Sequence, residues 1–184
     1  SAASDVYKRQ ANDGALGLAT TTNGDIIVSG FTSGSIGDGL SSAGGQDGYV
    51  LKLDGTNGAI ADRTQFGSSG FDRAGAVTVG DDGSIYVAST ENGEGVIRKL
   101  DGTDLNTILA THNLGDLGSG QITSIAIEGS TLVIGGTSAQ SSLSGGTTVN
   151  SHAGGNDAFI TTFDTSLNAQ NTRFLGTGDA ESLK

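Results

Sequence analysis

The chain has no cysteine, proline, methionine or tryptophan among its 184 residues. Without cysteine there is no disulfide framework and no thiolate metal site, so pairing says nothing about redox compartment. Long apolar runs are also missing. No window of about 18 apolar residues exists, which excludes a helical membrane span, and no stretch has the apolar centre of a secretory signal. Basic residues are scarce: 9 Lys and Arg stand against 20 Asp and Glu, a formal net charge of -11. A balance this acidic repels a phosphate backbone and an anionic membrane surface, so neither nucleic acid nor membrane insertion is expected. Excess charge of one sign keeps a β-rich chain with open sheet edges soluble. It also leaves calcium possible outside the cell, although acidic balance fixes no ligand geometry.

Glycine is abundant, at 32 residues. Glycine-rich punctuation between short apolar runs fits an all-β chain with many tight turns. Three stretches copy one another. The first has TTTNGDIIVSG (residues 20–30) and DGYVLKLDGTNG (47–58), and the second has VTVGDDGSIYVAS (77–89) and EGVIRKLDGTDLN (94–106). The third has IAIEGSTLVIGG (125–136) and NDAFITTFDTSLN (156–168), and the anchors Asp54, Asp101 and Asp164 are spaced by 47 and 63 residues. A repeat of about 40–50 residues that reads as four short strands is the pattern of a β-propeller blade.

Within each copy, strand one alternates, through Leu16 and Leu18, Val77 and Val79, and Ile125 and Ile127. Asn23-Gly24, Asp82-Gly83 and Glu128-Gly129 then make hairpin turns in which both residues can take positive φ. Strand two is the most apolar, at residues 26–28, 85–87 and 132–134, and suits burial on both faces between neighbouring blades. Strand three ends at an Asp-rich turn. Strand four ends in an apolar residue and glycine: Phe66-Gly67, Leu114-Gly115 and Leu175-Gly176. The connector from strand two to strand three is long in copies one (33–46) and three (138–156) and short in copy two (91–94). Such insertions project from one face and carry binding.

GFDRAGAVTVGDDGSIYVAS, AGGQDGYVLKLDGTNG and AGGNDAFITTFDTSLN together resemble the SBBP-type bacterial β-propeller repeat over roughly residues 12–182. That resemblance implies a non-catalytic module of a secreted or surface-attached bacterial protein, hence an extracellular or cell-surface location. The chain departs from the pattern in lacking the proline often found before the GGxD segment, and copy two has lost that segment.

The ends carry two further expectations. SAASDVYKRQ, residues 1–10, resembles translated sequencing-adapter sequence and is set apart from the repeat domain of residues 11–184. The copies span about 15–72, 73–120 and 121–182, and GTGDAESLK stops where a fourth would begin, which reads as one arc of a longer propeller. Three blades alone leave two sheet faces open, and self-association, as a six-bladed dimer, is expected of them.

The candidate chemistry is thin. Asp54, Asp101 and Asp164, with Asn57, Asp104 and Asn168 nearby, sit in loops that superficially resemble calcium loops. Their spacing fails the helix-flanked calcium loop, and Asp and Asn close turns through their own backbone. GGQD and GGND, ending at Asp47 and Asp157, echo the calcium β-roll, but each stands alone rather than in tandem, so these aspartates read as the first residues of strand three. His112 and His152 lie in different copies with no zinc spacing and read as solvated. No GxSxG elbow is present. Neither a catalytic nor a cofactor-binding constellation emerges.

Two functions follow. One is a binding or structural scaffold that presents loops 33–46 and 138–156 to a glycan or a protein. The other is an enzyme: LDGTNGAI also resembles the quinoprotein-type propeller repeat, which implies a quinone on the central axis and tryptophans that dock adjacent blades. This chain has no tryptophan, and Thr64 or Phe66 stands where that anchor would fall.

Overall fold

Alternating apolar residues between Gly- and Asp-rich turns can bury one face of a short strand, and strands so joined meander. The computed structural model describes residues 12–37 and 39–176, so the adapter-like residues 1–10 and the start of a fourth copy lie outside the described residues. The strands form three sheets and no helix occurs among the described residues. Blade 1 is β1 (Asp13–Thr20), β2 (Ile26–Thr32), β3 (Asp47–Leu53) and β4 (Ile60–Phe66), in that spatial order. Blade 2 repeats the meander with β5 (Asp72–Val79), β6 (Ile85–Glu91), β7 (Glu94–Leu100) and β8 (Ile108–Asp116). Blade 3 has β9 (Gln121–Glu128), β10 (Thr131–Ser138), β12 (Asp157–Asp164) and β13 (Ala169–Leu175). The chain is therefore all-β, with three propeller-type blades that do not close into a ring.

Blade 3 has one element beyond the expected four strands. β11 (Thr147–Asn150), from inside the long connector, pairs in parallel with β13. The β-branched run Thr147-Thr148-Val149 covers a sheet edge that would otherwise stay unpaired.

The blades stack through their first strands. β1 and β5 lie side by side, as do β5 and β9, and β5 and β9 each also pack over the preceding blade. Pairing registers identify equivalent residues: Leu18, Val77 and Ile125 pair with Val28, Val87 and Ile134 of their second strands. This shifts the expected alternation in the first copy by one pair, because Leu16 is the extra residue of a bulge between Ala15 and Gly17. Gly75 and Thr123 are extra at the matching places in β5 and β9.

Two apolar cores result, one per junction. Ile27 and Val50 of blade 1 meet Val77, Ile85, Val87 and Leu100 of blade 2. Tyr86, Ala88, Ile97 and Leu114 on the other side of blade 2 meet Leu132, Ile134, Phe159 and Phe174 of blade 3. Each such aliphatic or aromatic burial contributes about 1.5–3 kcal/mol. The expectation of burial on both faces holds for β6. In β2 and β10 the burial alternates: Ile27 is buried between half-buried Ile26 and Val28, and Val133 is half-buried between buried Leu132 and Ile134.

The first turns depart from expectation. Gly24, Gly83 and Gly129 take positive φ, but Asn23, Asp82 and Glu128 do not, so these are not turns with two left-handed residues. That geometry appears instead between β6 and β7, where Asn92 (φ 47) and Gly93 (φ 86) make the two-residue hairpin.

Candidate ligand-binding face

Because the four main strands of each blade form an antiparallel meander and the first strands align, one end of the blades gathers the connectors 33–46, 67–71, 92–93, 117–120 and 139–156. The other end gathers the Asp-rich turns. Backbone bonds tie the first set from blade to blade. Gly45 and Gln46 donate to Gly70 O, Asn92 donates to Phe71 O, Leu117 donates to Gly93 O and Ala139 donates to Leu117 O.

Near the shared first strands at this end lies a cleft of about 440 Å³, lined by Leu16, Phe71, Arg73, Gly75, Thr90, Gly120, Gln121, Ile122 and Thr123. That volume is in the range of small-ligand sites. The three bulge residues Leu16, Gly75 and Thr123 all line it. A bulge bends a strand and re-aims a side chain, so the same irregularity, repeated in each blade, shapes the cleft. Phe71 is 70% exposed and supplies a flat apolar surface. Arg73 stacks its guanidinium 4.8 Å from the Phe31 ring centroid, and its Nε donates to Gln46 Oε1 at 3.3 Å. This cleft was missed in the sequence, since a bulge leaves no trace in a two-residue alternation.

At the opposite end the turn aspartates do what turn aspartates do. Asp54 Oδ1 accepts from the backbone N–H of Thr56 at 2.7 Å, and Asp101 Oδ1 accepts from Thr103 N–H at 2.7 Å and its hydroxyl at 2.6 Å. Asp164 Oδ1 accepts from Ser166 and Asn168 N–H, both at 2.9 Å. Such bonds hold the carboxyls below the usual range: the Thr56 N–H bond leads at Asp54, the Thr103 hydroxyl at Asp101 and, at Asp164, the Asn168 side-chain amide that donates to Oδ2 at 2.8 Å. Asp104 is lowered likewise, chiefly by the Thr107 hydroxyl. The three anchors occupy three separate turns and converge on nothing.

Two lysines at this end had no role in the sequence reading. Lys52 Nζ donates to Gly102 O of the next blade at 3.0 Å and pairs with Asp25 at 3.3 Å. Lys99, its equivalent before the next Asp-Gly turn, donates to Thr165 O of blade 3 at 3.2 Å and pairs with Asp82 at 2.9 Å. The repeated KLDGT of copies one and two was the signal for this strut.

Both histidines pack against phenylalanine rings, His152 out of solvent and His112 half-buried. His112 sits edge-on to Phe163 at 4.8 Å and contacts Ser144 O. The His152 side chain is 8% exposed, edge-on to Phe174 at 5.4 Å. The reason is the third blade's phenylalanines, which offer ring edges at both places. Phe66, at the position considered for a docking tryptophan, lies under the Arg98 guanidinium at 4.4 Å and packs against the first core, with Thr64 buried beside it in β4. Arg98 is held there by its ion pair with Glu91. Among the described residues no three His, Asp or Glu side chains form a metal-binding group, and no helix is long and apolar enough to cross a membrane.

No protein-family model matches the chain, and no curated protein matches it. Among solved structures, a luciferin-regenerating enzyme is similar at 19% identity and a TM-score of 0.39, over 67% of this chain and 37% of that one. The chain thus spans little more than a third of that enzyme's length. At this distance the likeness assigns no activity.

Proposed function

We propose that this chain is a non-catalytic β-propeller segment of a secreted or cell-surface bacterial protein, a scaffold that presents its connector end to a glycan or a protein. One observation carries the reading: both long connectors, 33–46 and 139–156, emerge at the same end as the cleft that holds Phe71 and Arg73. Variable loops on a rigid sheet scaffold are where binding residues collect. An exposed aromatic beside an arginine is a common anchor for a protein partner. The secreted setting rests on the resemblance of the repeat to the SBBP type.

The test is binding to an array of immobilised glycans and extracellular matrix proteins by three proteins. These are the unaltered chain, a variant with residues 34–42 replaced by a short Gly-Ser linker, and Phe71→Ala with Arg73→Ala. The expected result is a ligand retained by the unaltered chain and lost by both variants, with unchanged thermal melts. A ligand that survives both changes would remove the connector end from consideration.

A further inference from the structure

Two buried carboxylates meet where blade 1 joins blade 2. Asp47 opens β3 and is 1% exposed, and Asp72 opens β5 and is 0% exposed. Asp72 is well served: its Oδ2 accepts from Ser68 N–H at 2.6 Å and its Oδ1 from Asn92 N–H at 2.9 Å, with the Ser68 hydroxyl alongside. Asp47 is only half served. Its Oδ2 accepts from Ala43 N–H at 2.8 Å and Gln65 Nε2 at 2.7 Å, while its Oδ1 is buried without a partner. That oxygen and Asp72 Oδ2 lie 2.6 and 2.8 Å from the point where a Cβ on Gly67 would sit. The two carboxylates therefore converge over a residue that has no side chain.

The third blade makes the contrast. Asp157, equivalent to Asp47, is as deeply buried but has His152 Nε2 at 4.0 Å from its Oδ2. In the second blade the position is the exposed Glu94. Among the described residues, none of the ion pairs reaches Asp47 or Asp72. Buried charges in proteins are paired or hold metals, because an uncompensated carboxylate out of water is costly.

We propose that Asp47 and Asp72 bind a divalent cation at this junction, and that the cation is calcium. The converging donors are carboxylate oxygens, which suit a hard ion, whereas zinc draws on imidazole or thiolate. Two carboxylates make a low-charge site, so the dissociation constant falls in the range of about 10⁻⁴–10⁻³ M typical of extracellular modules. The ion joins the start of β3 to the start of β5 and so fastens one blade to the next. This site stands apart from the ligand-binding reading.

The experiment is calorimetric titration of calcium chloride into the chelator-treated chain, with thermal melts with and without calcium. One saturable site and a higher melting temperature in calcium are expected. Asp47→Asn is expected to weaken binding at least about tenfold by removing a ligand charge, and Asp157→Asn to leave it unchanged. Gly67→Ala, whose methyl fills the same point, replaces Asp47→Asn if that variant does not fold. The proposal is overturned if the unaltered chain shows neither heat nor a shifted melt, or if Asp47→Asn or Gly67→Ala binds like the unaltered chain, which would place the ion on surface carboxylates. It is equally overturned if Asp47→Asn melts higher than the unaltered chain and neither responds to calcium.

Discussion

In β6 the side chains of Ile85, Tyr86, Val87 and Ala88 are all fully buried, whereas the matching stretches of β2 and β10 bury every other residue. All three strands read alike in sequence, as short runs rich in β-branched residues. What separates them is the number of neighbours. Blade 2 has a blade on each side, so Ile85 and Val87 fill one core while Tyr86 and Ala88 fill the other. Blade 1 turns Leu18 and Val28 away from its only neighbour, and blade 3 does so with Val133 and Ile160. Burial in a propeller is a property of the junction between repeats, not of the repeat itself.

The comparison breaks most sharply at the second residue of strand two. Ile27, Tyr86 and Val133 are equivalent, and each faces away from the preceding blade. Tyr86 is covered by blade 3 and donates its hydroxyl to Thr165 O at 3.0 Å. Tyr86→Ala should cost about 3–5 kcal/mol, as other buried aromatic truncations do. Val133→Ala, at the same place on an open face, should cost less than about 1 kcal/mol. Urea denaturation measures both. Similar losses would mean that Val133 is covered in solution.

Such covering is itself expected. The open face of blade 1 shows the side that blade 2 turns toward blade 1, with Leu18 at 69% exposure, and the open face of blade 3 shows the side that blade 2 turns toward blade 3, with Ile160 at 41%. The two are related as the faces at each internal junction, so two copies can join head to tail at two identical interfaces and close a six-bladed ring. Light scattering should give twice the chain mass. Leu18→Glu and Ile160→Glu should each be monomeric, and their mixture should pair through the one intact interface. A monomeric unaltered chain at every concentration would sink the ring.

The parts of this fold that were legible in sequence are those written in local chemistry. The Asp54, Asp101 and Asp164 turns, the apolar second strands and the glycine after Phe66 all mark their own positions. The half-burial of β2 and β10 follows instead from the two sheet faces that three blades leave open. Local reading failed where a second blade decides. Nothing near His152 announces Phe174, and nothing near Asp47 announces Asp72, which comes 25 residues later and from another sheet. The bulges at Leu16, Gly75 and Thr123, and hence the cleft, depend on pairing register that alternation cannot fix. Asn92-Gly93 was a legible turn that was passed over as a mere short connector.

The lysine struts give a smaller test of junction against repeat. Lys52 and Lys99 each reach from one blade to the next blade's turn, while blade 3 has Thr162 at that place. Lys52→Ala and Lys99→Ala should each cost about 0.5–1 kcal/mol, as partly exposed ion pairs with an added hydrogen bond do. Thr162→Ala should be nearly silent in urea denaturation. A large effect at Thr162 would show that blade 3's outer side carries a partner.

The smallest effect should be blind to the distinction altogether. Asp54, Asp101 and Asp164 are held below their ordinary pKa by bonds within their own turns, and none leans on a neighbouring blade. A depressed carboxyl stabilises the fold above its unfolded value, roughly 3.9, and that contribution is lost as pH falls through the folded value. Stability should therefore hold near neutrality and decline once the pH drops below about 4. Asp54→Asn, Asp101→Asn and Asp164→Asn should each flatten that acid decline by a similar small amount, in the end blades as in the middle one. If Asp101→Asn alone did so, the turns too would answer to their neighbours, and the division between local turns and shared cores would fail.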